Sequence, residues 1–224
     1  MSNKLKQFNK FLSNIDLNKY RSKYSKIKLV ELDLPRNIQA IKLLYEVYWD
    51  NFDLLGYDEF YGLYSKKLEK ELESFRKKQM FSVETFYRGL PARIYRTWAS
   101  LLTQIQGGYV AASIYPKVEM SSDLDYAGID MRIYINANKY INIQIKKETV
   151  SREVRTPWVG LKKGEQITNI IYEVTHHSPL TPTGKECVPY KRWVGRWGDK
   201  LTKLDNNFII FLPDMFHIDN IKTP

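Results

Sequence analysis

Between Ile129 and Lys146 apolar and polar residues alternate almost without a break, as I-D-M-R-I-Y-I and then Y-I-N-I-Q-I-K. Side chains of a strand point to opposite faces in turn. The pattern predicts two antiparallel strands, Ile129–Ile135 and Tyr140–Lys146, joined by the tight turn Asn136-Ala137-Asn138-Lys139. On the second strand Ile141, Ile143 and Ile145 face one way, and Asn142, Gln144 and Lys146 face the other.

Elsewhere the apolar spacing is helical. Leu5, Phe8, Leu12 and Ile15 predict an amphipathic helix from Asn3 to Ile15. A turn at Asp33-Leu34-Pro35-Arg36-Asn37 follows, since Pro35 disfavours helix before it and Asn37 suits an N-cap. A second helix then runs through Trp49. A third spans Tyr57 to Lys78, its buried stripe being Phe60, Tyr64, Leu68, Leu72 and Phe75, its Glu/Lys alternation a solvated face. A central helix runs from Arg88 to Gln106, with Ile94, Trp98, Leu101 and Ile105 on one side and Gly107-Gly108 as its end signal. Thr103 and Gln104, on another side, are candidates to approach the end of the sheet. Tyr109–Tyr115 reads equally as helix continuation or as a strand leading into the sheet.

Ile167–Val174 is β-branched and apolar, a third strand. Tyr190–Leu204 reads as a helix through Trp193, Trp197, Leu201 and Leu204, and Phe208–Leu212 as a buried strand closed by Pro213. A helix between two apolar strands suggests a crossover. The expected fold class is therefore α/β, a mixed β-sheet flanked by helices, with a helical N-terminal region.

Charge narrows the partners. The 224 residues carry 35 Lys and Arg against 25 Asp and Glu, a net charge of +10, and the pI is near 9.4. That balance suits an anionic partner such as nucleic acid. Residues 1–28 hold eight basic residues against Asp16 alone. From Lys146 to Lys163 there are six against two, with Ser151, Arg152, Arg155, Trp158, Lys162 and Lys163 interleaving cations with an aromatic. Arg152, Arg155, Lys162 and Lys163 are the candidate DNA contacts of that loop. One cysteine, Cys187, excludes an intrachain disulfide framework and fits a reducing compartment. With no membrane-length apolar run and no signal-peptide core, the expected location is the cytoplasm.

The chemistry concentrates at the hairpin. Pairing around the turn brings Asp130 to Gln144 and Lys146, and Asp125 can fold back to the same point. Carboxylates and an amide are hard-oxygen ligands for Mg²⁺, and a neighbouring lysine can activate water and neutralise charge on a phosphate. This Asp–hairpin–Gln-x-Lys order resembles the PD-(D/E)xK nuclease core, with Gln144 in the usual acidic position. The backbone carbonyl of Ile145 would complete the ligand set of Asp125 and Asp130. Asp123 competes with Asp125 for its role. The same motif arises by chance in polar-edged hairpins. His176 and His177 lack a third ligand at metal-site spacing and read as a surface loop. Cys187 has no evident general base, and no phosphate-binding glycine loop or dinucleotide fingerprint is present.

Over nearly its full length the chain resembles the TaqI family of type II restriction endonucleases. The likeness rests on Lys19–Leu34, Tyr95–Ala111 (Y-R-T-W-A-S-L-L-T-Q-I-Q-G-G-Y-V-A), Met120–Ile133, Gln144–Arg155 and Pro189–Phe216, in the same order. The resemblance implies catalytic aspartates at Asp125 and Asp130, a catalytic lysine at Lys146, and Mg²⁺-dependent cutting of double-stranded DNA at the palindrome TCGA. It further implies a partner methyltransferase that protects host DNA. The Thr156–Gln166 loop departs from the likeness, which touches the target sequence more than the chemistry. The expected division is a helical region, 1–86, and a catalytic core with DNA-binding loops, 87–224, acting as a homodimer on a two-fold target. The alternatives are a structure-specific repair or junction nuclease on the same core, and a non-catalytic nucleic-acid-binding protein.

Overall fold

A computed structural model describes residues 3–27, 34–148, 166–175 and 177–217. Four strands form the main sheet, in the order β1 (Lys117–Glu119), β2 (Met131–Asn136), β3 (Lys139–Glu148) and β4 (Ile167–Glu173). β1, β2 and β3 are mutually antiparallel, whereas β4 runs parallel to β3. The mixed sheet expected from the pattern is present, and the hairpin strands lie within two residues of their predicted ends. Asp130 stands one residue before β2, not inside it, and a register shift sits between Tyr134 and Asn136.

The central helix, α6 (Val83–Ala111), covers the apolar face of this sheet and is longer than its pattern suggests. It starts early because Ser82 Oγ accepts the Thr85 N–H at 3.1 Å, an N-cap. It also runs through Gly107-Gly108, which do not end it. Their function is close packing: a Cβ on Gly107 would lie 3.2 Å from Ile145 Cδ1, and one on Gly108 would lie 2.1 Å from Met120 Sδ. Tyr109–Ala111 is thus helix.

Around α6 pack α1 (Asn3–Ser13), α2 (Leu17–Tyr24), α3 (Ile41–Tyr45), α4 (Tyr57–Lys67) and α5 (Glu69–Lys78). The expected 57–78 helix breaks at Leu68, whose φ of −116° leaves the helical region. The second helix is likewise divided. A 3-10 turn covers Arg36–Ile38, with Pro35 and not Asn37 at its N-cap, and α3 continues as a π-turn over Glu46–Asp50. The core these helices enclose is rich in buried aromatics, whose polar ends find partners. Trp98 Nε1 donates to the Tyr48 hydroxyl at 2.7 Å, which donates in turn to the Leu55 carbonyl at 2.7 Å.

The C-terminal elements differ from the sequence pattern. α8 (Val188–Trp197) stops at Gly198, and Leu201 instead opens β5 (Leu201–Lys203), which pairs antiparallel with β6 (Ile209–Phe211). The pattern misleads because Leu201 continues the helical spacing of Trp193 and Trp197 while its burial comes from the ribbon. β6 does not join the main sheet, so α8 is not a crossover. Gln106, fully buried on α6, accepts the Phe211 N–H at 2.8 Å and donates to the Phe211 carbonyl at 3.1 Å. That amide occupies the β6 edge where another strand would pair. Asn206, at the ribbon turn, donates to the Leu12 and Ile15 carbonyls at 2.6 and 2.8 Å, fastening the ribbon to the end of α1.

Candidate active site

Two carboxylates reach one end of the sheet because of a short helix and its stop. α7 (Ser122–Tyr126) begins where Ser121 Oγ accepts the Leu124 N–H at 3.2 Å. It ends in a Schellman motif: Ile129 N–H donates to the Leu124 carbonyl and Gly128 N–H to the Asp125 carbonyl, both at 2.8 Å. This turn needs a left-handed residue, and Gly128 has φ +76°. The chain reverses there, so Asp125 in the last helical turn and Asp130 just beyond it come back to β3 together.

Asp130 takes the place of a strand. The ladder between β2 and β3 ends with Met131 opposite Ile143. Past that point the Ile145 N–H, which β2 would otherwise receive, donates to Asp130 Oδ2 at 2.6 Å. Asp130 N–H in turn donates to the Ile143 carbonyl at 2.9 Å. A strand residue sends its N–H and C=O to the same side, so the Ile145 carbonyl is also directed to the Asp130 side. Continuing the register places Asp130 opposite Gln144.

Gln144 and Lys146, two apart, share the face of β3 away from α6. Gln144 Oε1 and Lys146 Nζ are shielded from solvent and make no hydrogen bond among the described residues. Asp125 is half-buried and accepts the Tyr45 hydroxyl at 3.3 Å, whereas Asp123 is exposed. Of the two aspartates, Asp125 is the one that turns inward.

The electrostatics follow from this burial. Desolvation raises the Asp125 carboxyl to about 6, with the Tyr45 hydrogen bond opposing. Desolvation raises Asp130 to about 7, against the Ile145 hydrogen bond, with the charge of Asp125 adding to the rise and that of Lys146 opposing it. Lys146 is held below the usual lysine range by desolvation, partly countered by Asp130. Two carboxylates that repel each other in a dry setting, beside an orphaned amide oxygen, form a donor set that fits a small hard cation. Among the described residues no cluster of three His, Cys, Asp or Glu groups exists. A cation here would therefore draw on neutral oxygens, Gln144 Oε1 and the Ile145 carbonyl, beside the two aspartates.

Other candidates fall elsewhere. Arg152, Arg155, Lys162, Lys163 and His176 lie outside the described residues. Among the described residues His177 belongs to no group that could hold a metal ion. Thr103 Oγ1 donates to the Ala99 carbonyl at 3.3 Å, and Gln104 Oε1 is buried without a hydrogen-bond partner among the described residues. Neither side chain bonds to Asp125 or Asp130. Sequence reasoning missed Tyr45, whose phenol is pushed far up by burial and by both carboxylates. It also missed Tyr172 on β4, pushed up to about 12 by burial and the Asp130 charge. Nothing in a sequence pattern separates these two from other buried tyrosines.

The family model described as TaqI restriction endonuclease matches residues 5–218. The type II restriction enzyme TaqI of Thermus aquaticus is 35% identical over 220 residues, covering 92% of this chain and 83% of that protein. The type II restriction enzyme TthHB8I of Thermus thermophilus is 34% identical over 222 residues, covering 92% of this chain and 83% of that protein. No solved structure matches the chain. These likenesses define the class, a type II site-specific deoxyribonuclease. Within that class, the chain belongs to the TaqI restriction endonuclease family.

Proposed function

We propose that this enzyme hydrolyses phosphodiester bonds of double-stranded DNA at the palindrome TCGA, using Mg²⁺ and leaving 5′-phosphate and 3′-hydroxyl ends. Type II restriction endonucleases generally need a divalent metal. One observation carries the reading: Asp130 receives the Ile145 N–H at 2.6 Å beside a Lys146 Nζ that has no hydrogen-bond partner among the described residues. In the PD-(D/E)xK reading of this core, Asp125, Asp130 and the Ile145 carbonyl hold the cation, and Gln144 orients a ligand or water.

When bound, Mg²⁺ would supply Lewis-acid polarisation of the scissile phosphate and favour ionisation of water. Asp130 and Asp125 supply the negative charge that makes such binding favourable, and Tyr45 orients Asp125. Lys146, held low beside Asp130, is suited to steer the attacking water and to offset charge growing on the phosphate. Attack in line with the 3′ oxygen breaks the P–O3′ bond, which yields the stated ends.

A palindrome has two-fold symmetry and each chain carries one such site. A homodimer would place one site on each strand. Arg152, Arg155, Lys162 and Lys163 remain the proposed DNA contacts, and a cognate methyltransferase would protect host DNA without obligate physical contact with this chain.

Digesting unmethylated plasmid with the purified enzyme, with Mg²⁺ and with EDTA, and sequencing the ends tests the proposal. Discrete fragments ending at TCGA only with Mg²⁺ support it, and discrete ends at another sequence would refute the stated target.

A further inference from the structure

On the opposite side of β3 from Lys146 a cleft of about 460 Å³ opens between α6 and the far ends of β3 and β4, bordered by α2 and the β5–β6 ribbon. Arg21, Arg96, Lys147 and Lys203 enter it from four separate elements, and among the described residues no carboxylate lines it. None of the four forms an ion pair or side-chain hydrogen bond among the described residues. The walls are apolar, with Tyr95 and Phe208 among them, and Ser100 offers a hydroxyl.

Arg21, Arg96 and Lys147 are exposed at the cleft, and four cations converging on one concave surface set up a positive field that attracts an anion. The volume falls in the range of small-molecule sites, roughly 300–1,000 Å³. Four cations over aromatic walls match a group with a charged end and a flat apolar end. We infer that this cleft is a phosphate-binding site that takes a nucleotide unit, its phosphate among Arg21, Arg96, Lys147 and Lys203 and its base against Tyr95 and Phe208.

The phosphate belongs to a free nucleotide or to a nucleotide of the DNA strand. The second source rests on the DNA-cleavage reading; the first does not. Lys146 and Lys147 are adjacent on β3, so occupancy of the cleft bears on the strand that carries the candidate catalytic lysine.

The test uses the full chain in EDTA, titrated calorimetrically with deoxyadenosine monophosphate and separately with a short DNA duplex over a salt series. The double variant Arg96→Gln/Lys203→Gln is compared with Lys6→Gln/Lys10→Gln, which removes the same charge from the exposed side of α1. The single variant Arg96→Gln serves if the double variant melts early. Weakening of mononucleotide binding by about tenfold in the cleft variant alone assigns a free nucleotide. Weaker duplex binding, with a salt slope reduced by about two in the cleft variant alone, assigns a DNA phosphate. Equal effects from both variants, or no binding of either probe by the wild type, overturns the inference. Mg²⁺-dependent plasmid cleavage, measured in parallel, separates the two proposals. Intact cleavage with insensitive binding removes the cleft site alone, while absent cleavage with variant-sensitive mononucleotide binding removes the nuclease reading alone.

Discussion

Asp130 Oδ2 accepts the backbone N–H of Ile145 at 2.6 Å, so a carboxylate replaces the neighbouring strand where β2 falls short of β3. One side chain thus completes the sheet edge and leaves its second oxygen outside that hydrogen bond. Asp130→Asn keeps an acceptor for Ile145 but removes the charge. The expected outcome is a folded protein whose Mg²⁺-dependent cleavage falls by at least about a thousandfold, with DNA binding in EDTA retained. Gel-shift and cleavage assays on the same preparation check it.

Gly128 makes the turn that returns Asp125 and Asp130 to one place. Gly128→Ala puts a Cβ at φ +76°, costing about 1–2 kcal/mol. The expected result is a modest fall in melting temperature with a much larger loss of cleavage, because the relation of the two aspartates shifts. Loss of stability and activity in proportion would show that the turn only holds the fold.

Protonation sets a pH signature in EDTA. Asp130 lies at about 7 in the folded chain against an ordinary 3.8, and Asp125 at about 6. Between those ordinary and raised values the folded state binds more protons than the unfolded one, so stability falls as pH rises. The size is on the order of a few kcal/mol for Asp130, which is almost fully buried. Urea melts across that interval should show the decline, and Asp130→Asn should flatten much of it. Mg²⁺ affinity moves oppositely, rising with pH as the carboxyls ionise.

Tyr45 donates to Asp125 at 3.3 Å and thereby favours its charged form. Tyr45→Phe should lower Mg²⁺ affinity about tenfold and move the acid limb of the pH–rate profile upward, with little change in the rate at saturating metal and high pH. An unchanged acid limb would confine Tyr45 to packing.

Gln106 satisfies both backbone groups of Phe211. Gln106→Leu leaves a buried N–H and C=O without partners, at about 1–3 kcal/mol each. Chemical denaturation should register a loss of at least about 2 kcal/mol, with the candidate active-site residues unaltered.

Strict alternation made the hairpin readable, because a one-residue slip would turn Ile141, Ile143 and Ile145 out of the core. That periodicity also placed Asp130, Gln144 and Lys146 near one another. Local signals failed where tertiary packing decides. Gly107-Gly108 look like a helix stop, yet they remain helical because Ile145 and Met120 press against them. Leu201 continues the spacing of a helix that Gly198 has ended, and β5 is then set by pairing with Phe211. Tyr45 belongs to the site through a contact 80 positions away along the chain, which no window of sequence displays. The Arg152–Lys163 cations fall outside the described residues, so their proposed DNA contacts rest on charge and residue type.

The most direct test of the account is cleavage of TCGA-containing duplex by Lys146→Ala at saturating Mg²⁺, alongside the wild type. Lys146 Nζ is shielded, makes no hydrogen bond among the described residues, and acts electrostatically on Asp130. Binding should persist and cleavage should disappear within the range of the assay. Cleavage at the wild-type rate would contradict the assignment of this hairpin as the active site.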